Sequence, residues 1–359
     1  MRRLVRWLGI SDGPLTLAAL GLVGIGCLAM ASAASTVNEA LFIRHLVWIA
    51  LGLAASIAIA RTAAHRVLDA SWVLYGLSLA ALAIVLIAGA VRLGASRWLS
   101  VLGLSLQPSE LAKVSTVWVL ARYLAGQPSP LPPRVVFTSL VIAGLPAALV
   151  FVQPDLGSAT IFAAIWCGMI WMAGASRRTM IGCGLVALAV LPIGWHALKG
   201  YQRDRLLAFV NPSADPLGAG YTIIQSMIAI GAGQLMGRGW FAGTQNQLSF
   251  LPERHSDFIF SVIGEEWGFF GCLTVILLIG AMLLRIARLG QRAPDPYARL
   301  LAAGTWAWFA YQATVNLGMV MGMLPVVGIP LPFISYGGSS MLSLWMALGM
   351  LQGVARASE

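Results

Sequence analysis

Charged residues are scarce in this chain of 359 residues: Asp, Glu, Lys and Arg together make up only 10%, whereas 59% of residues are hydrophobic. The mean hydropathy is +0.83. A soluble domain cannot cover so much apolar surface with so few charges, so the composition excludes a water-soluble globular protein. The net charge of +10 comes mainly from arginines in short connections, which is a signal of membrane topology and not of a nucleic-acid-binding patch.

Cysteine is also sparse, and the cysteines are far apart in the sequence. The four cysteines all fall in apolar stretches, where the thiol behaves as a small apolar group: Cys27, Cys167, Cys183 and Cys272. No CxxC pair and no Cys/His cluster is found, so the sequence offers neither a disulfide framework nor a metal-binding motif.

Long apolar stretches are what the chain has in abundance. A helix needs about 20 apolar residues to cross the hydrocarbon of a bilayer. About ten stretches qualify, and they leave no room for a separate soluble domain: 14–34, 44–60, 72–91, 109–125, 135–153, 158–175, 179–198, 257–287, 300–322 and 338–356. The sequence therefore predicts an all-α, polytopic membrane protein of about ten transmembrane helices, with residues 1–359 in a single membrane domain.

The arginines predict the orientation of these helices. Basic residues concentrate at the N-terminus and in alternate short connections, which by the positive-inside rule places both termini in the cytoplasm. The first span is expected to be retained as a signal anchor. The 92–108 connection, the large loop 199–256 and the uncharged loop 323–337 then face outward, and the site is expected on this outer face of the membrane.

The segment 245–271 carries carboxylates into an apolar stretch. A carboxylate costs about 2.5–3.5 kcal/mol at mid-depth in a membrane helix, so it is rarely tolerated without a task. Asp257 at the mouth of the stretch suits a general base, although an aspartate there equally suits a helix N-cap. Glu265 and Glu266 lie deeper and point to different faces, which favours hydrogen bonding between helices over a direct role.

A second feature of this stretch is a stripe of small residues. At 100° per residue, Asp257, Ser261, Gly264 and Gly268 fall on one face of a helix that begins near Asp257. Such a stripe admits close approach of either a neighbouring helix or a lipid chain. Upstream, residues 221–230 fit either a re-entrant helix or a lid helix lying on the surface.

A second polar constellation lies in residues 97–113. Glu110 and Lys113 follow Pro108 at i,i+3 spacing, so the two side chains share a face and neutralise each other in an apolar helix. The pair is either a structural ion pair or a support for the catalytic carboxylate. Arg97 suits an interfacial anchor or a phosphate contact.

Further arginines occupy the large loop. Guanidinium groups bind phosphate oxygens in pairs, so Arg203, Arg205, Arg238 and Arg254 are candidates for contacting a diphosphate, against the alternative of simple solvation. The stretch 324–340, rich in proline and glycine, has no charge, and its irregular backbone is expected to shape a cavity.

Four motifs together resemble one family. The motifs FLPERHSDFIFSVIGEEWGFFG, QPSELAK, QPDLGSA and PLPFISYGGSS look like those of the shape, elongation, division and sporulation (SEDS) polymerases, over essentially the whole chain. The segment GIPLPFISYGG and the short terminal tails are similar to those of the elongation branch of this family. The resemblance implies a membrane glycosyltransferase of the bacterial inner membrane that polymerises lipid II. It places the essential aspartate at Asp257 and the supporting pair at Glu110 and Lys113.

The chemistry that the resemblance implies fits these residues. The sugar C1 of an undecaprenyl diphosphate-linked glycan is attacked by the 4-hydroxyl of lipid II, and a β-1,4 bond forms with inversion. Asp257 would be the base, and the arginines, with or without a divalent cation (Mg²⁺ or Mn²⁺), would stabilise the leaving diphosphate. A class B penicillin-binding protein and the elongation machinery are the implied partners.

Two other classes of function compete with a polymerase. A lipid II flippase would also use many spans and buried charge. A scaffold would leave the charged groups without a purpose.

A polymerase whose substrate has a long polyprenyl tail is expected to open sideways to the bilayer, with the small-residue stripe as one wall of the groove.

Overall fold

The chain forms a bundle of long helices in the computed structural model, which describes residues 11–35, 39–62, 64–88, 90–92, 95–101, 104–218 and 220–357. Ten helices within these ranges have 17 to 34 residues. We label the first seven α1 (Gly13–Ser35), α2 (Glu39–Arg61), α3 (Ala64–Ala88), α4 (Pro108–Ala125), α5 (Pro133–Val152), α6 (Leu156–Met172) and α7 (Arg177–Ala197).

The large loop separates these seven from the last three long helices. It contains α8 (Gly200–Val210), a 3₁₀ turn (Pro212–Ala214), α9 (Tyr221–Gly233) and the short α10 (Thr244–Gln247). The chain then continues through α11 (Ile259–Arg292), α12 (Pro296–Val320) and α13 (Gly338–Ala357).

The ten long helices coincide with the ten stretches that the sequence predicted. Five of them, α1, α2, α3, α5 and α11, are each long and apolar enough to cross a membrane. Several start where the sequence provides a helix-initiating residue, since Pro108, Pro133 and Pro296 occupy the first turn, in which the missing N–H has no partner to lose. The prediction of a polytopic, all-helical membrane protein is confirmed.

A small antiparallel sheet replaces part of the connection that the sequence analysis treated as a loop. Strands β1 (Ala90–Arg92), β2 (Ala95–Val101) and β3 (Leu104–Leu106) pair in the order β1-β2-β3, with Leu99 opposite Leu106. Pairing between the strands satisfies backbone groups that would otherwise need other partners. The sheet leads directly into α4.

Helix α9 packs against the bundle along one face, while Met227 and Ile228 on its other face are exposed. Ser226 is fully buried, and its hydroxyl bonds Ser261 Oγ at 2.8 Å and the carbonyl of Val320 at 2.6 Å. A Cβ added to Gly233 would lie 1.8 Å from the carbonyl oxygen of Gly264, so the two backbones are in direct contact. The helix is therefore fastened to α11 through one face, and the choice between a lid helix and a re-entrant helix stays a prediction.

Helix α11 is broken at Gly268, whose φ of 64° and ψ of −157° are accessible only to glycine. The carbonyls of Glu265 and Glu266 accept hydrogen bonds from the amides of Arg238 and Gly239, at 2.9 and 3.0 Å, in place of helical partners. The helix begins at Ile259, close to the predicted start near Asp257, but the predicted span is not one continuous helix, because the segment after α9 is inserted into the break.

The small-residue stripe is covered by α9. Gly264 contacts Ile230 and Gly233, and Ser261 is bonded to Ser226. Close helix packing, and not a lipid groove, accounts for the stripe.

The loop between α12 and α13 lies inside the protein. Phe333 has a φ of 62° and is fully buried; its ring meets Phe309 of α12 at 5.7 Å and Trp345 of α13 at 5.4 Å, in both cases edge to face. These aromatic contacts anchor an irregular segment that could not exist in lipid, as the sequence analysis predicted.

The break in α11 predicts a sharp sensitivity to side-chain size. In Gly268→Ala the Cβ would lie 2.3 Å from the amide nitrogen of Gly237, and the backbone would adopt a strained conformation. We expect this variant to lose at least about 1–3 kcal/mol of unfolding free energy, measured by thermal unfolding in detergent.

Gly280→Ala is the matched control in the same helix, because no atom lies within 4 Å of its added Cβ. Its stability should stay within about 1 kcal/mol of the parent. Equal stability of the two variants would contradict the observed break.

Candidate active site

A cavity of about 720 Å³ lies at the end of the bundle where the loops converge. It is bounded by the start of α4, the turn between α5 and α6, helix α8, the turn 253–258, the loop 326–330, the start of α13 and one face of α2. The charged or titratable residues along it are Arg44, Glu110, Asp155, Tyr201, Arg205, Glu253, His255, Asp257 and Tyr336.

Asp257 lies in the wall of this cavity, in a turn that precedes α11. The N-cap position is Phe258, so Asp257 stands outside the helix and the N-cap alternative is wrong. Its carbonyl accepts a hydrogen bond from Asn316 Nδ2 at 2.9 Å. A Cβ added to Gly328 would lie 3.3 Å from Asp257 Oδ2, so the carboxylate rests against the bare backbone of this glycine.

Glu110 and Lys113 form the ion pair that their spacing predicted. Lys113 Nζ lies 2.6 Å from Glu110 Oε1, and Ser343 of α13 donates to Glu110 Oε2 at 3.2 Å. Lys113 is fully buried and its ammonium lies 5.5 Å from the ring centroid of Trp308. Glu110 also lines the cavity, so the pair connects the interior of the bundle to the site.

One of the five predicted arginines lines the cavity among the residues that the structure describes, and this is Arg205. Arg203 instead donates to the carbonyls of Trp195 and His196 at the end of α7. Arg238 donates to Ala232 O and Thr244 Oγ1, and Arg254 Nε to Ala33 O. The side chain of Arg97, on β2, lies outside the described part of the chain.

Helix α8 presents Arg205 to the cavity because two neighbouring side chains fix the helix. Tyr201 Oη and Gln202 Nε2 both donate to the carbonyl of Pro154, at 3.1 and 3.3 Å. Arg205 follows one turn later on the same face, and its guanidinium lies 5.9 Å from the Tyr201 ring.

Several residues of the cavity were not among those predicted from the sequence. Arg44 is the second guanidinium group along it, on the α2 face that also carries Leu41 and Trp48, and its i,i+3/i+4 spacing from them was the available signal. Asp155 caps α6 through Ser158 N and accepts from Gln107 Nε2 at 3.1 Å.

His255 is the third basic side chain along the cavity, but it is a weak source of charge. Burial lowers its pKa, Glu253 partly opposes this shift, and Arg254 adds to it. The ring is therefore neutral at neutral pH, since an unperturbed histidine already has a pKa near 6.5. Positive charge along the described cavity thus comes from Arg44 and Arg205.

Glu265 and Glu266 lie outside the cavity wall and are held by hydrogen bonds, as predicted. Glu265 Oε1 accepts from Thr244 Oγ1 at 3.1 Å and from Gln245 N at 2.9 Å. Glu266 Oε1 accepts from Ser32 of α1 and from Asn246. Both carboxylates therefore fasten the inserted segment to the break in α11.

The described residues contain no group of three or more His, Cys, Asp or Glu side chains arranged to hold a metal ion. The four carboxylates along the cavity come from three parts of the chain, since Glu253 and Asp257 share the turn 253–258, and those of Glu110 and Asp155 are engaged by protein donors. A divalent cation would therefore need phosphate oxygens of a substrate to complete its coordination, which is the usual way Mg²⁺ binds.

Fold and cavity together define a polytopic helical membrane protein with a charged site at one end of the bundle. The sequence model of the FtsW, RodA and SpoVE family, described as "Cell cycle protein", matches residues 14–359. The chain belongs to this family, which is the one its motifs resemble.

Known proteins similar to the chain include the peptidoglycan glycosyltransferase MrdB of Escherichia coli (strain K12), which is 42% identical over 268 residues, or 74% of this chain and 72% of MrdB. A chain of a solved peptidoglycan synthase complex that coordinates polymerization and crosslinking superposes with a TM-score of 0.85 at 32% identity, covering 97% of this chain and 98% of that one. The rod shape determining protein RodA of Thermus thermophilus superposes at 0.73 with 29% identity, covering 96% of both chains.

The buried ion pair predicts an asymmetric response to substitution. Lys113→Met leaves Glu110 as an uncompensated buried carboxylate, so the variant should lose about 3–5 kcal/mol of unfolding free energy, seen as a lower melting temperature in detergent.

The double variant Lys113→Met with Glu110→Gln removes both charges and should regain most of that stability. A double variant as unstable as Lys113→Met alone would show that packing of the lysine, and not the ion pair, provides the stabilisation.

Proposed function

We propose that the chain polymerises lipid II into β-1,4 glycan strands during cell elongation, with Asp257 as the general base. The chain is a peptidoglycan glycosyltransferase of the SEDS family. The observation that carries the proposal is convergence: Asp257, Glu110 and Arg205 come from three distant segments and line one cavity. A structural role for each residue separately would not require them to meet.

In the proposed reaction one Asp257 carboxylate oxygen takes the proton of the acceptor 4-hydroxyl. The hydroxyl oxygen attacks C1 of the donor sugar from the face opposite the diphosphate. The C1–O bond to the diphosphate breaks with its electron pair, and the α linkage becomes β. A single base is enough, because a diphosphate leaves without protonation, unlike the leaving group in glycoside hydrolysis.

Arg205 and Arg44 stabilise the negative charge that grows on the leaving diphosphate. Both substrates of the reaction carry a diphosphate, so two guanidinium groups from different helices suit two binding positions. A divalent cation, Mg²⁺ or Mn²⁺, would add positive charge at the same phosphates, with one or two cavity carboxylates among its ligands.

Glu110 acts through its pairing with Lys113. The pair holds a negative group at the cavity without leaving an unpaired charge in the bundle, and Ser343 fixes its orientation. We assign the pair a supporting role in shaping the site around Asp257.

The substrate tail requires an opening towards the bilayer. Moving a polyprenyl chain out of hydrocarbon costs about 0.8 kcal/mol per CH₂, so the tail stays in the membrane while its head group enters the cavity. We place the tail along α2, because Leu41 and Trp48 line the cavity beside Arg44. Helix α2 packs along α1 and α13. Helix α3, the next helix in the chain, packs on α4 and α5 instead, so we place the opening for the tail between α2 and α3.

We further propose the bacterial inner membrane as the location, with both termini cytoplasmic and the cavity on the outer face. The distribution of arginines supports this orientation. A class B penicillin-binding protein within the elongation machinery is the proposed transpeptidase partner. The structural likeness to a chain of a peptidoglycan synthase complex supports it.

The test of the function uses the purified protein in liposomes with lipid II and no soluble energy source. Glycan strands that a muramidase digests to disaccharides support the polymerase. Transfer of lipid II between leaflets with no glycan product, with or without the partner transpeptidase, would make the chain a flippase and overturn the proposal.

Substitution of Asp257 tests the base. Asp257→Asn keeps the size of the side chain but removes the proton acceptor, so we expect polymerisation to fall by at least about 10²-fold in the same assay. The melting temperature should stay near that of the parent, because the amide of Asn fills the same volume as the carboxylate. Near-normal turnover of Asp257→Asn would refute the base assignment.

The arginines provide a comparison between neighbours two positions apart. Arg205→Ala removes a guanidinium group from the cavity, so KM for lipid II should rise roughly tenfold, as for loss of a hydrogen bond to a charged group. Arg44→Ala should act in the same direction. KM is measured from initial rates of glycan formation.

Arg203→Ala is the matched control, since this side chain bonds the end of α7 and does not line the described cavity. Its KM should stay within about twofold of the parent. If Arg203→Ala and Arg205→Ala raise KM equally, long-range charge and not a cavity contact explains the effect.

A further inference from the structure

Helix α12 carries three polar or amphipathic side chains at a spacing of four residues: Trp308, Gln312 and Asn316. Residues at this spacing lie above one another on one face of a helix. All three side chains are fully buried. Their apolar surroundings make every hydrogen-bonding group costly unless it has a partner, so this face has a specific use.

The lower part of this face connects the ion pair to the loop between α12 and α13. The Lys113 ammonium lies over the Trp308 ring, and Trp308 Nε1 donates to Gln312 Oε1 at 2.7 Å. Gln312 Nε2 then donates to the carbonyl of Pro330 at 2.8 Å.

The upper part connects the same loop to Asp257. Asn316 Nδ2 donates to the carbonyl of Ile329 at 2.7 Å and to the carbonyl of Asp257 at 2.9 Å. The two carbonyls belong to different segments, so one side-chain NH₂ group, with its two hydrogens, joins the loop to the turn that carries the carboxylate.

Gly328 makes this junction relevant to the reacting atoms. It precedes Ile329, adopts a φ of +73°, and its backbone lies against Asp257 Oδ2. Displacement of Ile329 therefore moves the surface on which the carboxylate rests. A second link, from Tyr336 N to the carbonyl of His255 at 2.9 Å, joins the same loop and turn further along.

We propose that Asn316 is a positioning residue for the reaction: its amide fixes the backbone of Asp257 and the Gly328–Ile329 segment relative to each other, and thereby fixes the direction of the Asp257 carboxylate. The proposal rests on the proposed role of Asp257 as base. It assigns a function to a residue that no charge or motif in the sequence marks.

The requirement for two donor hydrogens determines which substitutions are informative. Asn316→Asp keeps the size of the side chain but offers no donor to the two carbonyls when ionised. Asn316→Ser keeps a single donor hydrogen. Thr305→Val is the control, because Thr305 is equally buried on α12 but lies more than two turns from Asn316 and outside the cavity wall.

The experiment measures kcat and KM for lipid II per folded molecule, together with the melting temperature, for these variants and for Asp257→Asn. We expect Asn316→Asp to lower kcat by about 10²-fold, the effect of misplacing a catalytic group by about 1 Å. Asn316→Ser should fall between it and the parent. KM should change by less than about twofold for both Asn316 variants and for Thr305→Val, and Thr305→Val should keep the kcat of the parent.

A purely structural role would lower the melting temperature and the yield but leave kcat per folded molecule unchanged, and this result overturns the proposal. If neither Asn316 variant folds, Gly328→Ala decides, because its Cβ contacts the carboxylate directly. Reduced kcat in folded Gly328→Ala supports the positioning mechanism, whereas normal kcat, or failure of this variant to fold as well, overturns it. Turnover by Asp257→Asn would instead refute the base assignment itself, so the two failures are distinguishable.

Discussion

The structure depends on one constraint: backbone groups that leave regular helix inside the membrane bundle must find partners within the protein. Part of the site, including Asp257, is built from such irregular segments. The turn 253–258 and the loop 324–337 are joined by the amide of Asn316, and the inserted segment after α9 bonds the carbonyls of Glu265 and Glu266 at the break in α11. Irregular backbone allows a carboxylate and polar main-chain groups to face a cavity. Buried side-chain amides and carboxylates stabilise this backbone by providing hydrogen-bond partners within the protein.

The same constraint explains how charge is distributed. Glu110 and Lys113 neutralise each other where the bundle is driest, while Glu265 and Glu266 are held by hydroxyl and amide donors. Arginine remains at the cavity from two different helices, α2 and α8, because a guanidinium group needs either water or an anion nearby. The two guanidinium groups along the cavity are thus placed where an anion could reach them, whereas charge within the bundle is used for assembly.

Features that depend on neighbouring residues in the chain could be predicted from the sequence. Hydropathy located ten helices, and i,i+3 spacing predicted the Glu110–Lys113 pair. Prediction from the sequence failed where direction depends on an unknown helix start. Arg203 and Arg205 are two residues apart and so point to nearly opposite faces of α8, and only the packing of Tyr201 and Gln202 on Pro154 decides which of them meets the cavity. Arg44 was missed for a different reason, since a single arginine near a helix end resembles an interfacial anchor unless its spacing from Leu41 and Trp48 is considered.

The sequence by itself determined the membrane class, the number and approximate limits of the long helices and the family resemblance. These follow from composition, periodicity and local motifs, which are properties of short segments. Only the tertiary structure decided that α11 breaks at Gly268, that α9 covers the stripe of small residues, that Asp257 precedes its helix, and that Asn316 holds it. Each of these depends on contacts between segments far apart in the chain, and the energy of such contacts is set by distances and directions that no local pattern contains.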